Sequence, residues 1–327
     1  MRLIFLIALS LFSAAAFAQK PEYQVGFHGF GDNREYFSGK AYSQTILGER
    51  TSFEIGTTLD ENHRFRIGLN HLFEFGSEAD VWKPKLTAYY RYSDEQNEFY
   101  FGAFPRMDLV DFPLAMLTDT LLYYRPNIEG MYGKHSWSWG HQSGFVDWTS
   151  RQSETQRETF MAGLSGKMHL GSWFSENYLL LYHHAKSAVE IPDEHIKDNL
   201  GFALYAGRSL DQFIPLENSY LKIGLLQSTF RDRGNDDGFV TNRSFVSELY
   251  GELKPFALRA TFHQGNGHRF MYGDRFYDAD SYLRTDIYWK FLNSEHVQGR
   301  FNLSFHLIEG NDLDQSQQLS LIYRFGN

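Results

Sequence analysis

The sequence predicts a closed antiparallel transmembrane β-barrel of about sixteen strands, with a range of about fourteen to eighteen. Three observations support this fold class: a secretory leader, period-two hydrophobic alternation along the rest of the chain, and connections that alternate between short and long. Together they favour a barrel over a large soluble β-sandwich or solenoid, because nothing requires successive connections of a soluble sheet to alternate between short and long.

Residues 1–18 are predicted to form a secretory signal peptide. A basic start (Met1-Arg2) precedes an apolar run, and small residues then lead to Ala16-Phe17-Ala18, an A-x-A cleavage pattern. The apolar run is too short for a membrane anchor, which needs about 20 apolar residues. We therefore expect export, with a single barrel domain over residues 19–327.

The composition is typical of a membrane barrel. The 327 residues include no cysteine, so an exported chain would have no disulfides. The formal net charge of −9 argues against a nucleic-acid partner, because neutralising phosphates requires clustered Lys and Arg. Aromatic residues make up 17% of the chain, with 20 Tyr and 30 Phe, as expected for strands with aromatic interface girdles. The sequence predicts no cofactor and no metal site.

Period-two alternation is clearest near the C-terminus, where apolar Phe301, Leu303 and Phe305 alternate with polar neighbours. The last strand repeats the pattern from Leu319 to Phe325. The predicted strands are 23–31, 51–59, 64–76, 84–92, 97–104, 122–132, 135–146, 158–170, 177–186, 198–208, 218–230, 243–253, 256–265, 281–292, 297–308 and 316–326.

The connections between these strands differ by parity. Every second connection is mostly short, such as 60–63, 133–134 and 254–255, whereas the others are mostly long and polar, such as 32–50 and 266–280. Short periplasmic turns alternating with long extracellular loops are typical of outer-membrane barrels, and an even strand number places both termini in the periplasm. Closure is also required physically, because an unpaired backbone group in lipid costs several kcal/mol.

The sequence resembles the porin-type bacterial outer-membrane barrels. The resemblance rests on Ala16-Phe17-Ala18, on the hairpin pattern over the whole chain after the leader, and on the aromatic last strand. Porin-type barrels usually end in Phe, whereas this chain ends Phe325-Gly326-Asn327. The resemblance implies an outer-membrane location, contact with lipid and lipopolysaccharide, the barrel-assembly machinery as a partner, and homo-oligomers as one possible assembly.

The predicted lumen is richer in basic than in acidic strand residues. The third outward connection, 105–121, is unusually apolar, and the resemblance implies that it folds into the barrel as a constriction. A basic wall opposite an acidic loop would select among ions. The alternatives are solvated or paired lumen charges, and a loop packed over the rim or against a neighbouring subunit. The wall candidates are Arg64, Arg66, Arg91, Arg259, Arg284 and Arg300, and the constriction candidates are Asp108, Asp111 and Asp119.

The predicted function is passive diffusion of small polar solutes or ions, without enzymatic activity, because about sixteen strands enclose an aqueous channel. A plugged barrel with a surface-binding or structural role, for instance with polysaccharide, would expose loop aromatics. An enzyme acting on lipid or surface polymer would need a His paired with Ser or Asp at the rim. The loop aromatics are Phe270, Tyr272, Phe276 and Tyr277, and the available histidines are His28, His263, His306 and the pair His183-His184.

Overall fold

The computed structural model describes residues 20–77, 83–189, 191–234, 238–309 and 312–326, so the predicted leader lies outside the described residues. Within these ranges, sixteen strands follow one another along the chain. They are β1 (Lys20–Glu35), β2 (Gln44–Thr58), β3 (His63–Glu74), β4 (Lys85–Ser93), β5 (Asn97–Pro105), β6 (Asn127–Trp137), β7 (Gly140–Ser150), β8 (Thr159–Leu170), β9 (Trp173–His184), β10 (Lys197–Ser209), β11 (Glu217–Asp232), β12 (Val240–Leu253), β13 (Phe256–Gly265), β14 (Ser281–Asn293), β15 (Val297–Ile308) and β16 (Asp312–Gly326).

The strands form one closed antiparallel barrel. Each strand pairs with its neighbours in the chain, and β1 pairs with β16 in a register that runs from Gln24 opposite Gly326 to Glu35 opposite Gln315. Closure removes the sheet edges that lipid would otherwise leave unpaired. The predicted fold class and strand number are confirmed. In the described part of the chain, no helix is long and apolar enough to cross a bilayer.

The two faces of each strand differ in polarity, as β10 illustrates. Asn199 and Tyr205 point into the lumen and are buried, whereas Leu200, Phe202 and Leu204 point outward and are exposed. The outward face continues this apolar belt around the barrel. Its members include Phe53 and Ile55 on β2, Leu221, Ile223 and Leu225 on β11, and Ile287 and Trp289 on β14. Exposed apolar side chains in a continuous belt are the lipid-facing surface of a membrane barrel.

Outward tryptophans mark the short-turn end of the barrel. Trp137 and Trp139 stack with their ring centroids 4.8 Å apart, and Trp173 at the start of β9 is 56% exposed. Tryptophan prefers the membrane interface, where its ring meets lipid and its N–H meets water. These residues therefore mark the membrane interface at the short-turn end of the barrel, which the strand parity assigns to the periplasm.

One predicted turn was wrong. The sequence predicts a turn at 133–134, but β6 continues to Trp137 and β7 begins at Gly140. Gly133 lies inside β6, where it pairs with Phe99 on one side and Gly144 on the other. A glycine within a strand can mark close backbone packing as well as a turn, which explains the displacement.

The connection between β5 and β6, residues 106–126, folds into the barrel, and we call it the β5–β6 insert. Phe112 packs against Phe145 of the wall at a centroid distance of 5.8 Å. Buried Arg106 forms an ion pair with buried Asp147 on β7. The predicted sixth strand began at residue 122, but a one-turn helix, α1 (Leu121–Tyr124), occupies this position. Pro126 follows it and cannot donate a ladder hydrogen bond, which delays the strand.

The connection between β13 and β14, residues 266–280, also folds inward, and we call it the β13–β14 insert. It meets the β5–β6 insert through hydrogen bonds from the Thr118 amide to the Tyr272 carbonyl, 2.6 Å, and from the Asp274 amide to the Leu114 carbonyl, 2.8 Å. Phe276 and Tyr277 are buried, and Phe270 and Tyr272 are partly buried against the same core. The loop aromatics therefore do not form the exposed surface expected of a binding barrel.

These inserts give the extracellular half of the barrel a hydrophobic core. Its members come from both inserts and from strands around the wall, and include Phe104, Phe112, Met116, Leu121, Ile128, Met161, Leu180, Tyr205, Leu226, Phe276 and Tyr282. Burying a large apolar side chain stabilises a fold by about 1.5–3 kcal/mol. The inserts are thus held in the lumen as a packed plug.

Candidate functional site

A row of outward side chains crosses five neighbouring strands at the extracellular end of the barrel. The pairing register sets them side by side: Trp148 opposite Phe160, Phe160 opposite His183, His183 opposite Asp198, and Asp198 opposite Arg231. Their neighbours in the chain, such as Asp147, Tyr182 and Asn199, are buried in the lumen, so the row itself faces outward. We call these five residues the outer row.

The centre of the outer row is a histidine–aspartate pair. His183 Nδ1 lies 3.0 Å from Asp198 Oδ1, and the second carboxylate oxygen accepts a hydrogen bond of 2.8 Å from Arg233 Nε. Their side chains are 24% and 17% exposed, so both can be reached from outside. An Nδ1–H that donates to a carboxylate fixes the imidazole orientation and leaves Nε2 to accept a proton.

The pair lies at the outer membrane interface. β9 begins at Trp173, in the periplasmic tryptophan girdle, and ten residue steps lead to His183. Ten steps correspond to about 33 Å of strand, and a tilt of about 40° reduces this to roughly 25 Å along the membrane normal. This is about the height of the lipid-facing belt of such barrels. His183 therefore lies where hydrocarbon gives way to headgroups.

The surroundings of the pair change from apolar to basic with height. Below it, outward Leu181 and Leu200 continue the lipid belt. Phe160 flanks the imidazole with a centroid distance of 5.2 Å and stacks on Trp148. Arg231, in the same row, lies over the Phe239 ring at 5.3 Å, and Arg233 follows two residues further toward the extracellular end. An amphiphile with an apolar chain and an anionic headgroup would match this gradient.

In the connection above the pair, of which residues 185–189 and 191–196 are described, the carboxylate of Glu194 forms several contacts. Glu194 accepts hydrogen bonds from the Ser187 hydroxyl at 2.6 Å and from the Ser187 amide at 2.9 Å, and forms an ion pair of 2.7 Å with Arg157. The Ser187 side-chain and backbone hydrogen bonds, aided by Arg157, lower the pKa of Glu194 to about 2. The carboxylate thus stays charged at neutral pH and links Ser187 to Arg157 near the outer pair.

Two of the lumen histidines, His268 and His306, occupy sealed positions, whereas His28 lines the cavities in the periplasmic half of the lumen. His268 lies between two serines, with Ser228 Oγ 2.8 Å from Nδ1 and Ser244 Oγ 2.8 Å from Nε2, and all three residues are buried. Burial lowers the pKa of His268 to about 4, so it is neutral at pH 7. His306 Nδ1 lies 2.6 Å from the Tyr282 hydroxyl, again fully buried. These clusters have hydrogen-bonded groups suited to catalysis but no access for a substrate.

The predicted pore-wall arginines separate into two groups. Arg64, Arg66, Arg91 and Arg300 line adjoining cavities of about 320 and 410 Å³ in the periplasmic half of the lumen. Arg284 is instead buried between Asp286 and Asp274, and Arg259 lies beside Glu248 and the Tyr250 and Tyr288 rings. We call the adjoining cavities the basic chamber. Its charged lining residues are Arg50, Glu54, Arg64, Arg66, Arg91, Asp108, Asp119, Lys290, Arg300 and Arg324.

The predicted constriction residues lie in the β5–β6 insert but are not together. Asp108 lines the basic chamber and forms an ion pair of 2.7 Å with Arg324. Asp119 lines it too, and accepts a hydrogen bond of 3.3 Å from Gln318. Asp111 is not among the lining residues of these cavities. A selective role for these carboxylates stays a prediction.

The closed barrel with an apolar outer belt defines the fold of the porin-type outer-membrane proteins. Solved structures with this fold include a loop-deletion variant of OmpT from Vibrio cholerae, with 9% identity, coverage of 94% of this chain and 100% of that one, and a TM-score of 0.57. Salmonella typhi OmpF in complex with daunomycin has 10% identity, coverage of 94% and 98%, and a TM-score of 0.55. No curated protein is significantly similar in sequence.

Within this fold, residues 15–327 match the family described as Lipid A 3'-O-deacylase-type, and the chain belongs to that family. The prediction that the protein is not an enzyme is therefore wrong, because the family takes its description from an ester-cleaving activity. The general resemblance to porins holds for the fold.

His183 is among the histidines that the sequence offers as candidates, but its partner Asp198 is not. Alternation along β9 could have assigned His183 to the outer face, because Tyr182 and His184 flank it on the inner face. Asp198 follows the 185–196 connection, and only the β9–β10 register brings it opposite His183. Register across a long loop has no local sequence signal, so the pair became visible only in the structure.

Proposed function

We propose that the protein is an outer-membrane esterase that removes an acyl chain from a phosphorylated glycolipid of the outer leaflet, with His183 and Asp198 as its catalytic pair. The observation that carries this proposal is the outward, interface-level histidine–aspartate pair in a chain of the deacylase-type family. Acyl ester groups of such lipids lie between the hydrocarbon and the sugar headgroup. His183 lies at this same depth, where hydrocarbon gives way to headgroups.

The proposed reaction is hydrolysis. His183 Nε2 accepts a proton from water as the water oxygen attacks the ester carbonyl, and Asp198 stabilises the imidazolium that results. The tetrahedral intermediate then loses the sugar oxygen, which takes the proton back from His183. The products are a free fatty acid and a glycolipid with one hydroxyl in place of the ester. Arg231 and Arg243, on the outward face of β11 and β12, are positioned to attract the headgroup phosphates.

The substrate class follows from the family description and from the surface around the pair. The description names the 3'-O-acyl position of lipid A, which is an anionic glycolipid of the outer leaflet. Leu181, Leu200 and Phe202 would contact acyl chains, and the outward arginines of β11 and β12 would contact phosphate. This arrangement binds substrate laterally from the membrane, without passage through the plugged lumen.

The test is hydrolysis in isotopically labelled water. The full chain, refolded in detergent, is incubated with lipopolysaccharide in ¹⁸O water, and both products are analysed by mass spectrometry. We expect glycolipid lighter by one acyl chain and fatty acid carrying one ¹⁸O atom from the attacking water. His183→Gln should abolish both signals. Absence of products from the folded wild-type protein, or unlabelled fatty acid, would contradict the proposal.

A narrow channel is the second candidate function, and the basic chamber favours it. The chamber brings arginines and water-accessible space into the periplasmic half of the barrel. Conductance across a planar bilayer tests this candidate directly. Stepwise current increases would support a channel for small ions or solutes, whereas insertion without current would contradict it and agree with a lumen closed by the inserts.

A further inference from the structure

The basic chamber lies on the other side of the barrel wall from the outer row, and esterase activity at the outer row does not require it. The β5–β6 insert forms its roof through Met107, Leu109 and Leu122. Arg64 and Arg324, near the periplasmic ends of β3 and β16, line it with side chains 33% and 41% exposed. The chamber is therefore reached by solvent from the periplasmic side.

Three arginines of the chamber have neutral partners only. Arg50 donates to Asn70 Oδ1 at 2.6 Å and to the Tyr123 carbonyl. Arg91 donates to Ser93 Oγ at 3.4 Å, and Arg300 lies over the Tyr288 ring at 5.4 Å. Among the described residues, none of the three has a carboxylate within the 4.0 Å salt-bridge distance.

The guanidinium groups of Arg50 and Arg91 are largely removed from water, so the lack of a nearby carboxylate is energetically costly. Arg50 is 7% exposed, and its Nε is buried without a hydrogen-bond partner among the described residues. The Nε of Arg91 is in the same situation. Taking a guanidinium out of water is costly unless an anion compensates its charge and uses its N–H groups. Each of these side chains thus retains donor capacity for a carboxylate or phosphate oxygen.

The remaining chamber charges leave the balance positive. Arg64 and Arg66 form ion pairs with Glu22, and Arg66 also approaches Glu54. Arg324 forms its ion pair with Asp108, and Lys290 with Glu252. Asp119, the remaining lining carboxylate, accepts a hydrogen bond from Gln318 and offsets one positive charge of the second cavity. The uncompensated cations are therefore Arg50, Arg91 and Arg300, and His28 lies within electrostatic reach of both Arg50 and Arg300.

The uncharged lining limits the kind of anion. Tyr89, Tyr100 and Met107 are among the residues that line the arginine-rich cavity of about 320 Å³. Arg91 lies over the Tyr100 ring at 5.4 Å, so its guanidinium and an aromatic face border the same space. A compact molecule with an apolar or aromatic body and a single anionic group fits both kinds of lining.

We propose that the basic chamber is a binding site for a small organic anion that carries a carboxylate or phosphate group and enters from the periplasm. Arg50 and Arg91 hold the anionic group in the arginine-rich cavity, and Arg300 extends the site into the adjoining one. The aromatic lining holds the body of the ligand. The site is distinct from the proposed esterase pair, and neither function depends on the other.

Calorimetric titration of the refolded full chain tests this proposal, with benzoate, phenyl phosphate and the neutral analogue benzyl alcohol as probes. We expect saturable binding of one or both anions, weakened by salt, and no binding of benzyl alcohol. Arg91→Gln, at a partly exposed position, should weaken binding roughly tenfold, since a charge-assisted hydrogen bond contributes about that factor. Arg50→Gln should have an effect at least as large.

Arg259→Gln is the matched control, because Arg259 also faces the lumen but lies outside the chamber lining and beside Glu248. Heat-modifiable migration confirms that each variant has folded. Absence of anion binding, equal binding of benzyl alcohol, or equal weakening by Arg259→Gln would overturn the proposal. Ester hydrolysis measured on the same samples should be unchanged in all three variants, so the two proposals fail separately.

Discussion

His183 and His268 lie near the same end of the barrel and have contrasting environments. His183 points outward, is paired with Asp198 at 3.0 Å, and is 24% exposed at the lipid interface. His268 points inward, is bracketed by Ser228 and Ser244 at 2.8 Å each, and is 1% exposed. The inner cluster has more hydroxyls within reach, yet the packed inserts exclude substrate. Hydrogen-bond geometry therefore identifies a candidate site only where a substrate can reach it.

The largest expected effect is on the rate of ester hydrolysis, when the outer His183–Asp198 pair is changed. Asp198→Asn should lower the rate of ester hydrolysis by roughly 10²-fold or more, because an amide can hold the wrong imidazole tautomer and cannot stabilise the imidazolium. Folding should be unaffected, since Asp198 lies on the outer face. Release of fatty acid is the measurement, and a rate within threefold of wild type would remove Asp198 from the mechanism.

The next effect concerns the plug. Arg106→Met should destabilise the β5–β6 insert by about 3 kcal/mol, because it leaves buried Asp147 without its principal ion-pair partner. The outer row should keep its activity in the folded fraction. Denaturant unfolding measures the stability. Arg269→Met is the control, because the Arg269 side chain is 86% exposed and its pairing with Asp278 is weak.

A smaller effect depends on pH and belongs to the inner cluster. The folded-state pKa of His268 is lowered by burial to about 4, from an ordinary value of 6.5. The unfolded chain therefore binds more protons between these values, and stability should fall as the pH drops from about 6.5 to about 4, by up to about 3 kcal/mol. His268→Leu should remove this contribution to the pH dependence of the unfolding free energy, whereas the contributions of the other buried histidines, His28, His263 and His306, should remain. An unchanged pH profile in that variant would show that another group is responsible.

The smallest effect concerns the loop above the outer pair. Glu194→Gln removes the charge that Ser187 and Arg157 stabilise, and should reduce ester hydrolysis only a few-fold through loosening of residues 185–196. Since the lowered pKa of Glu194 keeps it charged until the pH approaches about 2, activity changes between pH 5 and 8 should be the same in variant and wild type. A pH profile that shifts in the variant would contradict this assignment.

Much of the fold could be predicted from the sequence because lipid imposes a simple pattern. Strands such as β13 and β15 match their predicted ranges, since every second residue faces the lipid and is therefore apolar. The predicted bounds of β6 were wrong at both ends. Pro126 delays its start and Gly133 lies inside it, and the effect of either residue depends on how neighbouring chain segments pack. The porin resemblance and the apolar character of 105–121 together predicted an inward loop, and the β5–β6 insert does pack inside the barrel, whereas its role as a constriction stays a prediction. The burial of Phe276 and Tyr277 had no such signal, because an aromatic loop can equally face solvent.

The candidate site was less predictable than the barrel. A search for inward or paired histidines favours the lumen, whereas the outward pair requires the β9–β10 register and an estimate of height along β9. The enzymatic class was missed for the same reason, because composition and periodicity describe the wall and carry no information about chemistry on its outer face.

The most direct test of the account compares adjacent histidines on opposite faces of the same strand. His183→Gln and His184→Gln change neighbouring residues of β9 in the same way, but only the first faces the lipid beside Asp198. Deacylation of lipopolysaccharide by the refolded variants should fall roughly 10³-fold for His183→Gln and stay within a few-fold of wild type for His184→Gln. Equal activity of the two folded variants would contradict the assignment of catalysis to the outer row.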